Sequence, residues 1–284
     1  MIIIAKLFKL FFKIPLLRKN YYKFYKYLFN PLKLFNNLTI DTLYDGDIKI
    51  KLHLKDWIQQ QIYFTDYFDY KGIKFLKHTL KEGDVFFDVG TNIGSYSLVA
   101  SKIVGNSGKV YSFEPVAETL KKITETVERN NFNNIQIEKK IVSDKNESIN
   151  IYASPDDNTG MSSIIKKFDN VEPESVPSVI LDEYIIDQKI KNITLVKIDV
   201  EGAEFYVLKG MKNILTNIKP ILFIEIINDN LETTSITSQE IIDFILNFNY
   251  SIYETDKNGK AIPFKSLKNS NYHNYIFIPN KVIF

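Results

Sequence analysis

Short apolar runs alternate with amphipathic segments along the chain after residue 84. The apolar runs predict strands at 85–89, 109–113, 135–142, 194–198 and 221–226. The segments between them predict helices at 95–104, 116–131 and 203–218. Such alternation is typical of βαβ units, so we expect an α/β fold with a mainly parallel sheet covered by helices on both faces.

The last part of the chain continues the pattern with a helix at 238–248 and two strands at 250–254 and 275–279, around a turn at 256–259. Two late strands joined as a hairpin give a parallel sheet an antiparallel edge. We therefore expect a mainly parallel sheet that ends in an antiparallel edge strand.

Upstream of these units the pattern is mixed. Residues 47–54 alternate apolar and polar side chains, which predicts a half-buried strand, and residues 57–80 predict helical segments. We divide the chain into an N-terminal extension at 1–40, a lead-in at 41–80 and a main domain at 81–284.

The N-terminal extension, called the head below, predicts an amphipathic helix that ends or kinks at Pro15. Lys6, Lys9 and Lys13 fall on one narrow stripe of that helix, and tyrosines and phenylalanines alternate with basic residues after it. Residues 1–30 are typical of a segment that lies in a membrane interface. They are equally typical of a helix that packs on the body or on a second subunit. Nucleic-acid binding is a third interpretation that we do not favour.

Charge separates the head from the rest of the chain. The 284 residues carry a formal net charge of +2, but the head holds eight basic side chains and no acidic one. Residues 41–284 therefore hold 28 basic and 34 acidic groups, a net charge of −6. The uncharged runs of the head are shorter than the roughly 20 apolar residues of a membrane-spanning helix, so any membrane contact is predicted to be peripheral.

Cysteine is absent, which excludes a disulfide framework, a thiolate zinc site and a cysteine nucleophile. The same absence favours a cytoplasmic location, with the head on the inner face of the cell membrane if it contacts lipid.

Residues 85–97, VFFDVGTNIGSYS, read as a strand, a glycine turn and a helix start. Gly90 permits a tight turn, Gly94 lets the helix approach the sheet, and Asn92 offers an amide. The pattern Gly-x-x-x-Gly differs from the dinucleotide-binding and Walker patterns, which cradle phosphates. It favours a nucleoside ligand without phosphates.

Polar residues follow the next two strands. Glu114 ends the second strand, where a carboxylate can accept both hydrogens of a ribose diol. Ser143 and Asp144 end the third strand, where a polar side chain meets an adenine or simply forms a turn. The sequence thus predicts a nucleoside-containing cofactor.

The chain from about residue 81 to 225 resembles the FkbM-type S-adenosylmethionine-dependent methyltransferases. The shared blocks are DVGTNIGSYS at 88–97, VYSFEP at 110–115, VSD at 142–144, NTGMSS at 158–163, LDEY at 181–184 and KIDVEGAEFYVLKG at 197–210. The resemblance implies a Rossmann-like, seven-stranded class I methyltransferase fold that binds S-adenosyl-L-methionine. By that resemblance Asp88, Gly90, Asn92 and Gly94 hold the methionine end, Glu114 holds the ribose, and Ser143 with Asp144 holds the adenine.

Acidic residues gather at the ends of two further predicted strands. Alternation puts Lys197 and Asp199 on one side of their strand, Glu201 and Glu204 follow, and Glu225 ends the next strand. We predict Asp199 as the first candidate for a catalytic base and Glu201 as the second. Glu201 and Glu204 are alternatively helix caps. Asp199 and Glu225 are alternatively ligands of Mg²⁺.

The resemblance also implies an acceptor class, because members of that family usually modify hydroxyls on sugars, glycans or polyketide products. We expect O-methylation of a sugar, glycan or glycolipid-type acceptor, with the loop at 156–163 either bordering the acceptor pocket or serving as a solvated connector. One alternative is an RNA methyltransferase that uses the basic aromatic head. Another is an inactive methyltransferase fold that serves as an interaction module, which the intact motif residues argue against.

Overall fold

The computed structural model describes residues 1–154, 158–165, 171–232, 234–264 and 272–280. Its strands are β1 (Thr39–Tyr44), β2 (Ile48–His53), β3 (Val85–Val89), β4 (Lys109–Phe113), β5 (Ile135–Glu138), β6 (Ile141–Val142), β7 (Ser148–Ile151), β8 (Glu174–Val179), β9 (Leu195–Ile198), β10 (Ile221–Ile227), β11 (Tyr250–Thr255), β12 (Ala261–Pro263) and β13 (Tyr272–Pro279).

The α-helices are α1 (Ile2–Phe11), α2 (Pro15–Lys19), α3 (Tyr21–Phe24), α4 (Trp57–Thr65), α5 (Tyr70–Thr79), α6 (Ser95–Val104), α7 (Ala117–Arg129), α8 (Leu181–Asp187), α9 (Glu204–Lys209), α10 (Asn228–Leu231) and α11 (Ser238–Leu246). Short π-helical segments lie at Tyr25–Phe29 and Ile214–Ile218, and a 3₁₀ turn lies at Thr159–Met161.

The central sheet has eight strands within the described residues, in the order β12-β11-β13-β10-β9-β3-β4-β5. Strands β10, β9, β3, β4 and β5 run parallel to one another. Strand β13 lies antiparallel between β10 and β11, and β12 adds an antiparallel edge. The predicted α/β fold with a mainly parallel sheet and an antiparallel edge is confirmed, and the described sheet has one strand more than the seven that the resemblance implies. The turn at 256–259, however, leads into β12, which the sequence pattern did not predict.

Two predicted elements are divided in the structure. The strand predicted at 135–142 is β5 in the central sheet and β6 in a separate three-stranded sheet, β6-β8-β7. The two sheets meet at Lys139 and Lys140, whose ammonium groups pair with Glu174 and Glu138. The helix predicted at 203–218 is interrupted at Gly210, where the carbonyl oxygen of Ser143 would lie 2.1 Å from an added Cβ atom.

Side chains that alternate along each central strand face two apolar layers. Phe86 lies in one cluster with α5, α6, the lead-in and the head, whereas Phe87 lies in a second cluster with α8, α9 and α11. A strand covered on both faces needs apolar residues at nearly every position, which explains the continuous runs seen in the sequence.

Aromatic packing attaches the head to the body. Phe12, Phe29 and Phe35 are buried against Phe64 of α4, with ring centroids 5.8, 5.4 and 5.2 Å from the Phe64 ring. The first helix ends before Pro15, which begins α2, as the sequence predicted. One surface of the head therefore packs on the body.

The predicted lysine stripe does not face solvent as a unit. Lys9 is half-buried, and its ammonium group lies 4.6 Å from the centroid of the Tyr63 ring and 3.3 Å from the hydroxyl of Thr42. Burial lowers the pKa of Lys9. Lys6 and Lys13 are exposed.

Among the described residues, the structure contains no helix with the length and apolar character that crossing a bilayer requires. The cytoplasmic location and the membrane contact of the head stay predictions.

Truncation of Phe29 tests the attachment of the head. Because Phe29 is 1% exposed, Phe29→Ala leaves a cavity and should lower the free energy of unfolding by about 3 kcal/mol or more, measured by urea denaturation. Tyr27→Ala is the matched control, since Tyr27 is 72% exposed and should be nearly neutral. Equal stability of both variants would contradict this packing.

Candidate active site

A cavity of about 440 Å³ opens at the carboxyl ends of β3, β4, β9 and β10. Ligands of open α/β sheets bind at such strand ends, and the volume lies in the range of small-molecule sites. Five of the nine residues predicted for the site line this cavity: Gly90, Asn92, Glu114, Asp199 and Glu201. The other four, Asp88, Gly94, Ser143 and Asp144, do not line it.

The glycine loop after β3 is shaped by positive φ angles. Gly90 has φ +83°, and an added Cβ atom would lie 1.8 Å from the carbonyl oxygen of Asp199. The β3 and β9 strand ends therefore lie too close together for any side chain at position 90. Gly94 has φ +87° and begins α6, where an added Cβ atom would lie 2.7 Å from Ile123. Gly94 thus shapes the loop from behind the cavity wall.

Glu114 ties this loop to the end of β4. Its two carboxylate oxygens accept hydrogen bonds from the backbone N–H groups of Asn92, at 2.8 Å, and Val116, at 2.9 Å. Burial raises the pKa of Glu114 to about 7 despite these hydrogen bonds. Each oxygen keeps a lone pair for a further donor, so the carboxyl group can still accept from a diol.

Asp88 lies beneath the loop. It is 1% exposed, and its Oδ2 atom accepts a 2.6 Å hydrogen bond from Ser97 in the first turns of α6. Its Oδ1 atom is buried without a hydrogen-bond partner among the described residues. Burial raises the pKa of Asp88. The carboxyl group therefore supports the loop and α6 from below, and a direct contact with a methionine end stays a prediction.

Ser143 and Asp144 face away from the cavity. Asp144 forms an ion pair with Lys209 at 2.5 Å, and the Ser143 backbone packs against Gly210. The two residues before Ser143, Ile141 and Val142 of β6, line the cavity instead. The division of the predicted third strand turns the two polar residues toward α9, which the sequence pattern did not reveal. Their adenine-binding role stays a prediction.

A buried lysine organises the acidic strand ends. The Nζ atom of Lys197 lies 3.0 Å from Oδ2 of Asp199 and 4.8 Å from the centroid of the Tyr96 ring. Burial alone would lower the pKa of Lys197, but the nearby carboxylates of Asp199, Asp88 and Glu225 hold that pKa above its ordinary value.

Glu225 completes this group. Desolvation and the neighbouring negative charge of Asp199 raise the pKa of Glu225 well above its ordinary value. Glu225 therefore holds a proton more readily than a free glutamate, while Asp199 faces the ammonium group of Lys197. Sequence reasoning did not include Lys197 in the site, although its alternation with Asp199 was a usable signal.

Glu201 and Glu204 separate into two roles. Glu201 has φ +55°, lines the cavity and accepts a 2.7 Å hydrogen bond from the side-chain amide of Asn230. Glu204 is 2% exposed and accepts from the backbone N–H of Gly202 at 3.0 Å, at the start of α9. Glu204 therefore binds the backbone of the turn that precedes α9, and the cap alternative for Glu201 and Glu204 stays a prediction.

The loop after β7 covers part of the cavity. Asp156 and Asp157 of the predicted loop lie outside the described residues, but residues 158–163 line the cavity. Thr159 donates from its backbone N–H, at 2.7 Å, and from its hydroxyl, at 2.9 Å, to Oδ2 of Asp56. Asp56 also caps α4, so sequence reasoning about caps could have found it, but not its contact with a loop about 100 residues away.

Within the described ranges, no cluster of three or more histidine, cysteine or acidic side chains has an arrangement that could hold a metal ion. The cation found against Asp199 is the ammonium group of Lys197. The Mg²⁺ alternative stays an untested prediction.

Comparison with known families decides the relationship of the chain. A family profile described as the methyltransferase FkbM domain matches residues 88–252, which is more than half of the 284 residues. This chain belongs to the FkbM methyltransferase family. The match includes the glycine loop, Glu114 and the β9 and β10 strand ends.

Individual relatives match shorter stretches of this FkbM chain than the family profile does. Over 150 residues the chain is 29% identical to the hexuronic acid methyltransferase AglP of Haloferax volcanii, and the matched stretch covers 53% of this chain and 59% of that protein. A stretch of 58 residues is 38% identical to a protein-L-isoaspartate O-methyltransferase of Methanococcus maripaludis, covering 20% of this chain and 27% of that one. The chain thus matches less than two thirds of the length of either relative.

A solved structure of a methyltransferase FkbM from Methylobacillus flagellatus aligns with 78% of this chain and 52% of its own. The TM-score is 0.46 and the sequence identity is 14%.

Buried carboxyl groups of the FkbM domain predict a pH-dependent stability. Burial raises the pKa of Glu204 from 4.5 to about 7. Between these two values the folded protein binds a proton that the unfolded protein releases, so the free energy of unfolding falls as the pH rises through that window. The loss is at most roughly 3 kcal/mol for this group.

Glu204→Gln should flatten that decline, because the amide oxygen still accepts from Gly202 and no charge is buried. The measurement is urea denaturation across the window from pH 4.5 to about pH 7. Glu128→Gln, at an exposed position of α7, is the control and should keep the wild-type slope. Parallel curves for wild type and Glu204→Gln would show that Glu204 is not buried as described.

Proposed function

We propose that this chain is an S-adenosyl-L-methionine-dependent O-methyltransferase that acts on a hydroxyl of a sugar, glycan or glycolipid-type acceptor. One cavity is lined both by the glycine loop, which Glu114 binds at Asn92, and by the Asp199 carboxylate, and this observation carries the proposal. The first provides groups suited to a nucleoside, and the second provides a proton acceptor. Similarity to a protein named as a hexuronic acid methyltransferase supports the acceptor class.

The donor set of the glycine loop fits this cofactor. Glu114 is held by two backbone N–H groups with lone pairs to spare, which suits the two hydroxyls of a ribose. The backbone of Gly90 and Asn92 lies against the cavity without a bulky side chain at Gly90. Ile141 and Val142 supply an apolar wall that suits the face of an adenine. When bound, the cofactor supplies a methyl group on a sulfonium sulfur, and that methyl carbon is the electrophile for an acceptor oxygen.

We assign the general base to Asp199. Asp199 would take the proton that the acceptor hydroxyl loses as its oxygen is methylated, and the cofactor, held by the glycine loop and Glu114, would leave as a neutral thioether. Lys197 holds that carboxylate in place through its 3.0 Å hydrogen bond. Glu201 is the second candidate, and one of its oxygens accepts a hydrogen bond from Asn230.

The remaining walls suit a carbohydrate. Trp57, Phe68 and Tyr96 line the cavity together with the polar side chains of Asp69 and Asn230. Sugar rings present apolar C–H faces to aromatic rings, and their hydroxyls bond to carboxylates and amides. We favour a carbohydrate over RNA because these aromatic and polar side chains line the cavity itself. In the head, Phe12, Phe29 and Phe35 are buried, whereas Tyr22 and Tyr27 are exposed, and the RNA arm of the test below covers that alternative.

The direct test is transfer of labelled methyl from S-adenosylmethionine to fractionated glycans and glycolipids, with and without Mg²⁺. Uronic-acid-containing, neutral and RNA acceptors form separate arms. Label on a carbohydrate hydroxyl supports the proposal, whereas label only on RNA or on amino groups contradicts it. Equal rates with EDTA and with Mg²⁺ would remove the metal alternative.

Glu114→Ala should weaken cofactor binding at least about tenfold, because the ribose loses its acceptor and the glycine loop loses the hydrogen bond from Asn92. Isothermal titration calorimetry with S-adenosylhomocysteine measures this loss. Glu118→Ala, on the exposed side of α7, is the matched control. Unchanged affinity in Glu114→Ala, with the control behaving as wild type, contradicts the ribose assignment.

Asp199→Asn should lower kcat about 10²-fold or more, the usual scale for loss of a general base, with cofactor affinity within a few-fold of wild type. Glu201→Gln should have a smaller effect, and Asp187→Asn, at an exposed position of α8, should have none. A larger loss in Glu201→Gln than in Asp199→Asn would reverse the order of the two candidates.

A further inference from the structure

The first helix of the head is apolar on two opposite faces. Ala5 and Phe12 are buried against the body, whereas Ile3, Leu7 and Leu10 are 70%, 60% and 58% exposed. These three follow the spacing i, i+4, i+7 and therefore form one stripe on the outer face of α1. Lys6 and Lys9 lie between the two apolar faces of α1. The exposure of Ile3, Leu7 and Leu10 shows that no described residue covers the outer stripe.

Exposed apolar side chains also follow α1 along the chain. Ile14 and Leu16 are 52% and 70% exposed, and together with Ile3, Leu7 and Leu10 they define what we call the apolar head surface. Nine of the seventeen exposed large hydrophobic side chains in the described part of the chain lie within residues 1–16. Scattered surface hydrophobic residues are ordinary, but such concentration marks an interaction surface.

Exposed lysines lie between and after these apolar residues along the chain. Six of the eight basic side chains of the head are exposed: Lys6, Lys13, Lys19, Lys23, Lys26 and Lys33. The head contains no acidic residue to offset them. A symmetric contact with a second copy would bring these cations face to face, which disfavours that occupant. A segment that exposes both apolar side chains and lysines, with no acidic residue, is complementary to lipid with anionic headgroups.

We propose that the apolar head surface docks on an anionic lipid bilayer, with α1 lying in the plane of the interface. The isoleucine and leucine side chains enter the boundary of the acyl region, and the ammonium groups meet the headgroups. The aromatic face of the head stays packed on the body, so the head acts as a fixed platform rather than a loose tether.

Trp57 connects this platform to the cavity. The rings of Tyr21 and Tyr25 in the head lie 5.6 and 4.2 Å, centroid to centroid, from Trp57, which also lines the cavity. The head therefore packs directly against a residue of the proposed acceptor wall. Resting on the proposed function, the docking favours an acceptor carried by a membrane lipid.

The test is co-sedimentation of the full chain with phosphatidylcholine vesicles, with and without phosphatidylglycerol. Wild type should bind the anionic vesicles, and Ile3→Ser/Leu7→Ser/Leu10→Ser should bind at least about tenfold more weakly. The matched control is Leu43→Ser/Ile186→Ser/Leu246→Ser, which removes three exposed apolar side chains elsewhere and should bind as wild type. Lys6→Gln/Lys13→Gln should weaken binding most at low salt.

Calorimetry with S-adenosylhomocysteine on the same variants keeps this proposal separate from the proposed function and confirms that each variant folds. Vesicle binding that the head variant retains would overturn the proposal. So would a head-dependent dimer in sedimentation velocity without vesicle binding, or equal binding to neutral and anionic vesicles.

Discussion

The ammonium group of Lys197, buried among carboxyl groups at the strand ends, is the interaction on which the site depends. Three acidic residues from three neighbouring strands, Asp88, Asp199 and Glu225, surround one cation. Removing the cation would leave the Asp199 carboxylate beside two buried carboxyl groups without a positive partner. The lysine therefore permits the acids to share a small space and directs the Asp199 carboxylate toward the cavity.

The glycine loop supplies the second constraint. The backbone at Gly90 passes so close to the carbonyl oxygen of Asp199 that no side chain fits between β3 and β9 at this point. The groove suited to a cofactor and the acid suited to catalysis are therefore joined through backbone contact rather than through flexible side chains. Glu114 extends the same rigid unit to β4 through its hydrogen bond from Asn92.

The head shows how one helix can serve two surfaces. Its phenylalanines pack around Phe64 and attach it to the lead-in, while its outer aliphatic residues remain exposed. The helical period alone placed the three lysines on one narrow stripe and apolar residues around the rest of the helix. It did not say which apolar side faces the body. The packing of Phe12 and Phe29 decided that question, and it drew Lys9 inward against Tyr63.

Local patterns in the sequence determined the parallel strands, the glycine turn and the acids at strand ends, because strand alternation and turn chemistry act between near neighbours in the chain. The bounds of β3, β4 and α6 follow directly from these patterns. Only the tertiary structure decided that Ser143 and Asp144 face α9, that Lys197 lies among carboxylates, and that Thr159 reaches Asp56. Those outcomes depend on which strands become neighbours and on how much water each group loses, and residues far apart in the chain set both.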